Sequence, residues 1–415
     1  MKAFSFSRFA LSFLFAGVIF VAPGLALAGW YTQNSGTTHT LWSVHFPADA
    51  RTGYAVGGHP NPGAILKTTD GGATWDSLTS GTNSYLYCVH FPVDAQTGYV
   101  VGGYPGPSII LKTTDGGTNW ARQTSGTTQT LWSVQFPADA LTGYAVGWSG
   151  TILKTTDGGA TWASLASGST AYLTAVHFPV AQTGYVVGYY GTILKTTDGG
   201  ATWASLRSGT NNRLWSVHFP VDARTGYVVG DSSVILKTTD GGANWAGQKS
   251  GDTLNGFRPP RTLRSVHFPV DAQTGWVVGW TGTIFKTTDG GAHWLSQSYG
   301  SADLFSVQFP ADAQTGYAVG DLGKIYNTKD GGTAVETAEV KGQRLEVRVT
   351  AKPNPFTSFS SVLGHERDLF ALYDISGKRV GVYRGDRIGE GLAPGVYFLR
   401  PSAGNARPAR VVKVR

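Results

Sequence analysis

Carboxylates are the side chains that decide what chemistry this 415-residue chain could do, and they recur on a fixed beat. Asp70, Asp115, Asp157, Asp198, Asp240, Asp289 and Asp330 each open an Asp-Gly-Gly turn, at spacings of 45, 42, 41, 42, 49 and 41 residues. A second series, Asp49, Asp94, Asp139, Asp222, Asp271 and Asp312, follows Phe-Pro in another turn. The fourth unit lacks it, reading Phe178-Pro179-Val180-Ala181-Gln182. Glycoside hydrolysis needs two carboxylates placed across one bond. Between residues 29 and 335 there is no glutamate; the first is Glu336. With the repeat positions set aside, Asp76, Asp231, Asp252, Asp303 and Asp321 remain, and a polysaccharide hydrolase would draw its pair from Asp231, Asp303 and Asp321. No nucleophile elbow, phosphate loop or clustered metal-ligand spacing accompanies them. The expectation is a chain that is not an enzyme and carries no metal or cofactor.

The repeated residues have a structural use. Aspartate can accept hydrogen bonds from the amides of its own turn, and glycine tolerates positive φ, so Asp-Gly marks a hairpin. A Trp five residues on then packs against the sheet. A calcium loop needs several carboxylates, and each copy offers one. His45, His90, His177, His218 and His267 recur before Phe-Pro, with Gln135 and Gln308 at the other two positions. A metal site takes three or four ligands close together. Imidazole and amide alternating around a ring point instead to hydrogen bonds with backbone. Cys88, the single cysteine, stands where sister segments carry Ser43, Ser133, Ala175, Ser216, Ser265 and Ser306, as a small filler.

The elements that must carry these residues are strands. In the third unit they are expected over 131–136, 143–147, 151–155 and 161–165, separated by Gly-bearing turns. Four short strands per unit mean propeller blades. The Gly-His and Trp-Asp signatures of WD40 repeats, which share the period, do not recur from unit to unit. The seventh unit ends Lys329-Asp330-Gly331-Gly332-Thr333-Ala334-Val335 without its Trp. The sequence from Trp30 to Thr37 aligns with that from Trp75 to Thr82, so the N-terminus should supply the outer strand of the last blade, with Trp30 in the Trp slot. Such closure removes an open sheet edge. The expected fold is all-β: a seven-bladed β-propeller closed by its N-terminal strand and followed by a small β-sandwich domain.

Blade topology sorts the loops. The Phe-Pro and Asp-Gly-Gly turns share one face; the second-to-third and fourth-to-first connections share the other, where the units diverge. Insertions fall there at 58–62, 103–107 and 251–261. Function on a rigid scaffold concentrates in such loops. Trp148, Tyr189, Tyr190, Asp231, Trp280 and Asp321 are expected to form an aromatic and acidic rim, with Arg213, Arg258, Arg261 and Arg264 as a basic sector beside it. Aromatic rims suit sugars or peptide side chains, and arginines suit carboxylates, so the expected partner is a protein or glycan ligand held by a monomer.

The ends set the compartment. Lys2 and Arg8 precede an apolar run from Phe9 to Val21, and Ala26-Leu27-Ala28 offers a signal peptidase site. The run is short for a membrane span, which takes about 20 residues. Residues 1–28 therefore read as a signal peptide, and the product as secreted or cell-surface. The net charge of +7 is uneven: residues 29–335 hold 17 Lys and Arg against 18 Asp, and residues 336–415 hold 14 basic against 8 acidic. A nucleic-acid binder would carry its basic surplus on the folded domain, so nucleic acid is not an expected partner.

Three resemblances follow from the motifs of the chain. The Asp-Gly-Gly turn with its Trp resembles the Asp-box of bacterial neuraminidase repeats, where it is a structural turn. The whole unit, Leu-Trp-Ser-Val-x-Phe, Thr-Gly-Tyr-x-Val-Gly and Gly-Thr-Ile-Leu-Lys-Thr-Thr-Asp-Gly-Gly-x-x-Trp, resembles the photosystem II assembly and stability factor family from Trp30 to Val335. That resemblance implies a non-enzymatic seven-bladed propeller that binds a partner protein through one face. A linker or first strand at 336–351 separates the propeller, 29–335, from residues 352–415. There Lys352-Pro353-Asn354-Pro355-Phe356, 372–380, 392–400 and the basic end 411–415 resemble the type A sorting domain of the type IX secretion system. This implies an outer-membrane secretion machinery as a second partner.

Overall fold

The computed structural model describes residues 29–59, 63–249 and 261–332, together with six later strands between residues 338 and 413. The signal-peptide expectation, Asp252, Arg258 and most of the linker lie outside the described residues. Residues 29–332 form seven four-stranded antiparallel sheets arranged as a seven-bladed β-propeller. The third blade is typical: Leu131–Gln135 innermost, then Gly143–Gly147, Ile152–Thr155 and Ala163–Leu165 outermost. Its last strand starts two residues later than expected because Thr161 belongs to the turn. The Thr161 N–H and hydroxyl both donate to the Asp157 carboxylate, at 2.9 and 2.6 Å. Those bonds, with one from the Thr155 hydroxyl, hold the carboxyl down to about 2. Gly158 (φ 68°) and Gly159 (φ 85°) take the left-handed conformations the turn requires.

The core lies between blades. Leu131, Val134 and Phe136 of the third blade pack with Tyr99, Val101 and Ile110 of the second, all nearly inaccessible. Six further clusters of the same make-up join the other neighbours, and one of them sets Leu41, Val44 and Phe46 of the first blade against Tyr317, Val319 and Ile325 of the seventh. Polar latches reinforce each junction. The Tyr99 hydroxyl donates to Ala140 O and Gly158 O of the next blade, both at 3.0 Å, and the Lys112 ammonium reaches Gly158 O at 2.7 Å. One hydroxyl thus touches both the Phe-Pro turn and the Asp-Gly-Gly turn, which places the two regular turns on the same face. Tyr99→Phe removes a buried donor and is expected to cost about 1 kcal/mol. A lowered urea midpoint at unchanged m would show it; an unchanged midpoint would refute the latch.

In the seventh blade the sheet order is Tyr31–Gln33, Ile325–Thr328, Gly316–Gly320, Leu304–Gln308. Tyr31 pairs with Asn327 and Gln33 with Ile325. Trp30 is 6% exposed and meets Phe309 edge-on at 5.9 Å, as Trp75 meets Phe46 at 6.1 Å. The Gly29 N–H donates to the Asp330 carboxylate at 3.0 Å. Asn327 stands where six blades have the latch lysine, and Gln33 Nε2 reaches Gly71 O at 3.2 Å in its stead. Beyond residue 332, Ala338–Val340 pairs with Gln343–Leu345. Four more strands form an antiparallel sheet in the order 379–384, 369–374, 395–401, 409–413.

Candidate ligand-binding site

The site begins with an irregularity of the innermost strands. In each of the seven, the pairing with the second strand shifts register just after the leading Leu, as between Leu131 and Ser133. A bulge re-aims its extra residue. Leu131 and Val134, three apart, therefore both face the inter-blade core, and the residue directly after the leading Leu turns into the central channel. Around the ring that position holds Trp42, Tyr87, Trp132, Thr174, Trp215, Arg264 and Phe305. Their side chains close on one another. Trp42 lies 4.2 Å from Phe305, Tyr87 stacks on Trp132 at 4.3 Å, and Trp132 stands 6.0 Å from Trp215 across the smaller Thr174.

Arg264 is the single charge in this layer. Its guanidinium carbon sits 3.7 Å from the centre of the Trp215 ring, 5.1 Å from Phe305 and 5.9 Å from Trp42. Burial pulls its pKa down to about 10, with Tyr189, Asp231, Asp303 and Asp321 acting the other way, so it remains a cation at neutral pH. It donates no hydrogen bond to any described residue.

The sequence-derived rim stands around this layer, with one correction. Trp148, Tyr189, Asp231, Trp280 and Asp321 all follow the second strand, as expected. The 148–150, 189–191 and 321–323 turns each carry a left-handed residue, Ser149, Tyr190 and Leu322. Tyr190 and Trp280 are exposed. Arg264 is not a rim residue: it lies on the inner strand Leu263–His267 and enters the channel, because the bulge turns it inward. Arg213 stays on the rim, 4.6 Å over the Tyr189 ring and 4.0 Å from Asp231. The Arg261 guanidinium donates to the Thr283 hydroxyl and to Thr281 O. The expected basic sector is therefore divided between channel and rim.

The rim carboxylates serve as joints between blades. Asp231 Oδ1 accepts from Trp215 Nε1 at 2.7 Å and from the Thr262 hydroxyl at 3.0 Å. Asp321 Oδ1 accepts from the Thr40 hydroxyl at 3.0 Å, and Asp303 Oδ1 from the Thr281 N–H at 2.8 Å. Burial raises the Asp321 carboxyl, and the nearby Asp303 charge adds to the rise.

Further along the inner strands lies the histidine ring. His90 Nε2 contacts Phe136 O at 3.2 Å, and His45 Nδ1 accepts from the Phe91 N–H at 3.2 Å. Gln308 does both jobs on Phe46, accepting from its N–H and donating to its carbonyl. Neighbouring imidazoles stand 4.9 Å apart. Among the described residues no group of three or more His, Cys, Asp or Glu is placed to hold a metal ion.

Fold and site together define a seven-bladed propeller of Asp-box blades with the turns after its second strands gathered at one channel mouth. Residues 22–126, 123–207 and 165–264, together more than half of the chain, match the family model described as photosynthesis system II assembly factor YCF48, and the chain belongs to that family. Among solved structures it is similar to YCF48 from Cyanidioschyzon merolae, at 21% identity over 72% of this chain and 99% of that one, with a TM-score of 0.59. YCF48 bound to D1 peptide gives 20% identity, coverage of 74% and 99%, and a TM-score of 0.59. The GH74 xyloglucanase from Xanthomonas campestris gives 15% identity over 73% of this chain and 54% of that one, with a TM-score of 0.57. These identities speak for the fold. No curated protein sequence matches the chain.

Proposed function

We propose that the chain is an exported, non-enzymatic binding scaffold whose protein or glycan ligand engages the channel mouth. In this reading residues 1–28 are a leader, the N-terminal strand closes the ring, and residues 352–415 are a sorting domain read by a type IX-like outer-membrane machinery. The observation that carries the binding role is the division of labour at the mouth. The carboxylates a hydrolase would need are engaged by threonine, tryptophan and backbone donors, while the aromatic layer and its guanidinium face the channel. A protein ligand also draws support from the family and from a neighbour solved with a peptide, and a role as an assembly factor at the envelope would follow from it. Binding of the purified chain to a glycan array and to envelope extracts tests the reading. Trp280→Ala and Arg261→Ala are expected to weaken it at least tenfold; undiminished binding by both, and by Trp148→Ala, would move the site to the regular face.

One observation favours a second reading, a polysaccharide hydrolase of the Asp-box propeller type. Burial and the nearby Asp303 raise the Asp321 carboxyl, the direction a general acid requires, and a xyloglucanase is among the structural neighbours. Release of reducing ends from xyloglucan, abolished in Asp321→Asn, would establish that reading and displace the first.

A further inference from the structure

Two donors in the channel layer have no acceptor among the described residues. The Arg264 guanidinium makes no hydrogen bond or ion pair with a described residue, and the indole N–H of Trp42, whose ring centre is 5.9 Å from it, is buried and equally unpaired. Polar groups shielded from water are nearly always paired, so an unanswered pair beside one another marks a place for an acceptor. A planar carboxylate matches a guanidinium best, through two parallel bonds.

The approach to this point is a file of rings. Tyr104 stands 6.2 Å from Trp148, Trp148 stacks on Tyr172 at 5.2 Å, Tyr172 stands 5.3 Å from Tyr189, and Tyr189 lies 5.5 Å from Trp215, on which Arg264 rests. Tyr104 and Tyr172 are 49% and 39% exposed. The file runs from the second blade to the fifth. The loops beside it, Ser125-Gly126-Thr127-Thr128, Ser167-Gly168-Ser169-Thr170 and Ser208-Gly209-Thr210-Asn211, supply hydroxyls and an amide but no charge. Of the exposed aliphatic groups, Val93, Val180, Val221 and Val270 are in the Phe-Pro turns of the regular face, and Leu322 is at the mouth but on the seventh blade, outside the blades the file spans.

We infer that the channel mouth binds an acidic polysaccharide, with hexuronate carboxylates read by Arg264 and successive sugar rings lying against the aromatic file. This rests on the binding reading above and supplies its ligand class. Flat rings with electron-rich faces suit the C–H faces of pyranoses. Platforms in single file suit a polymer of repeating units, whereas a protein interface gathers its anchors into a central cluster. The lone guanidinium of the layer feels Asp231, Asp303 and Asp321 but is hydrogen-bonded to none of them, which leaves its donors for a ligand carboxylate.

The test is isothermal titration of the full chain with hexamers of galacturonate, of mannuronate and of hyaluronate, each beside its carboxyl-reduced counterpart. At least one acid hexamer is expected to bind, with its reduced form weaker by tenfold or more. Arg264→Gln should erase that preference, and Trp148→Ala, a rim change away from the core, should weaken acid and neutral hexamers alike. Equal affinity for acid and reduced forms, or a preference that survives Arg264→Gln, would overturn the carboxylate assignment. Binding of none of the hexamers, with a peptide ligand captured at this face and lost in Trp148→Ala, would overturn the inference and leave the scaffold reading standing. Capture of ligands of both classes unaffected by Trp148→Ala and Trp280→Ala would overturn both. Shortened hexamers recovered after titration would replace binding with hydrolysis.

Discussion

Trp30→Ala is expected to cost about 3–5 kcal/mol of stability, the range for deleting a buried tryptophan, and to lower Tm by roughly 5–15 °C. The size follows from what the residue holds. Trp30 fills the slot under Phe309 that Trp75, Trp162 and Trp294 fill in continuous blades. Those tryptophans belong to strands tied to their sheet by a short turn, whereas Trp30 anchors a strand whose partner lies some 300 residues on, at Ile325–Thr328. Within its own blade, three residue pairs and the Gly29 bond to Asp330 remain to hold it once the indole is gone. The loss should reach the first blade as well, because Gln33 accepts from Trp75 Nε1 at 3.3 Å and donates to Gly71 O. Trp162→Ala is the control: a comparable thermal loss, but without the exchange of strand 31–33 amides that Trp30→Ala should show. A Trp30→Ala protein with wild-type Tm and protected amides would end the view that this strand holds the ring together.

Much of the fold was legible because the blade signals are local. Asp157, Gly158 and Gly159 specify one turn through their own bonds and dihedrals, and that turn fixes where a strand ends and the next begins. Seven copies then gave the blade number, and strand order gave the two faces. The channel layer was not legible in the same way. In Leu131-Trp132-Ser133-Val134 a strict alternation would set Leu131 and Ser133 on one side and Trp132 and Val134 on the other. The bulge after Leu131 breaks that parity, so Leu131 and Val134 share a side and Trp132 enters the channel. The same parity break sends Arg264 inward, although its place in the chain close to Arg258 and Arg261 suggested a loop-borne sector. A signal was present: the residue after the leading Leu is aromatic in five of the seven units. Its side, however, depends on a backbone irregularity that residue types alone do not announce. The joints made by Asp231 and Asp321 escaped for another reason, since their partners Thr262 and Thr40 belong to neighbouring blades.

Acid should unfold this propeller earlier than its carboxylates alone would predict. His90, His177 and His267 are held down to about 4, chiefly by burial, and His45 and His218 lie well below the usual value for the same cause, with nearby imidazoles adding to it. The ordinary histidine value is 6.5, so between pH 6.5 and 4 the unfolded chain binds protons that the folded chain refuses. Stability is therefore full above pH 6.5 and falls as pH drops through that window. Each unit of pH costs about 1.4 kcal/mol for every histidine kept neutral, or about 2 kcal/mol apiece at pH 5. Three such residues would remove roughly 6 kcal/mol, a large share of the 5–15 kcal/mol typical of a folded protein. The fold itself supplies the remedy to test this. Gln308 already makes both bonds of the ring, accepting from the Phe46 N–H and donating to Phe46 O, and it does not titrate. His90→Gln/His177→Gln/His267→Gln should leave the pH 7 melting temperature within a few degrees of wild type and flatten its fall between pH 6.5 and 4. A triple variant that loses stability with acid as steeply as the parent would show that the ring is not what acid attacks.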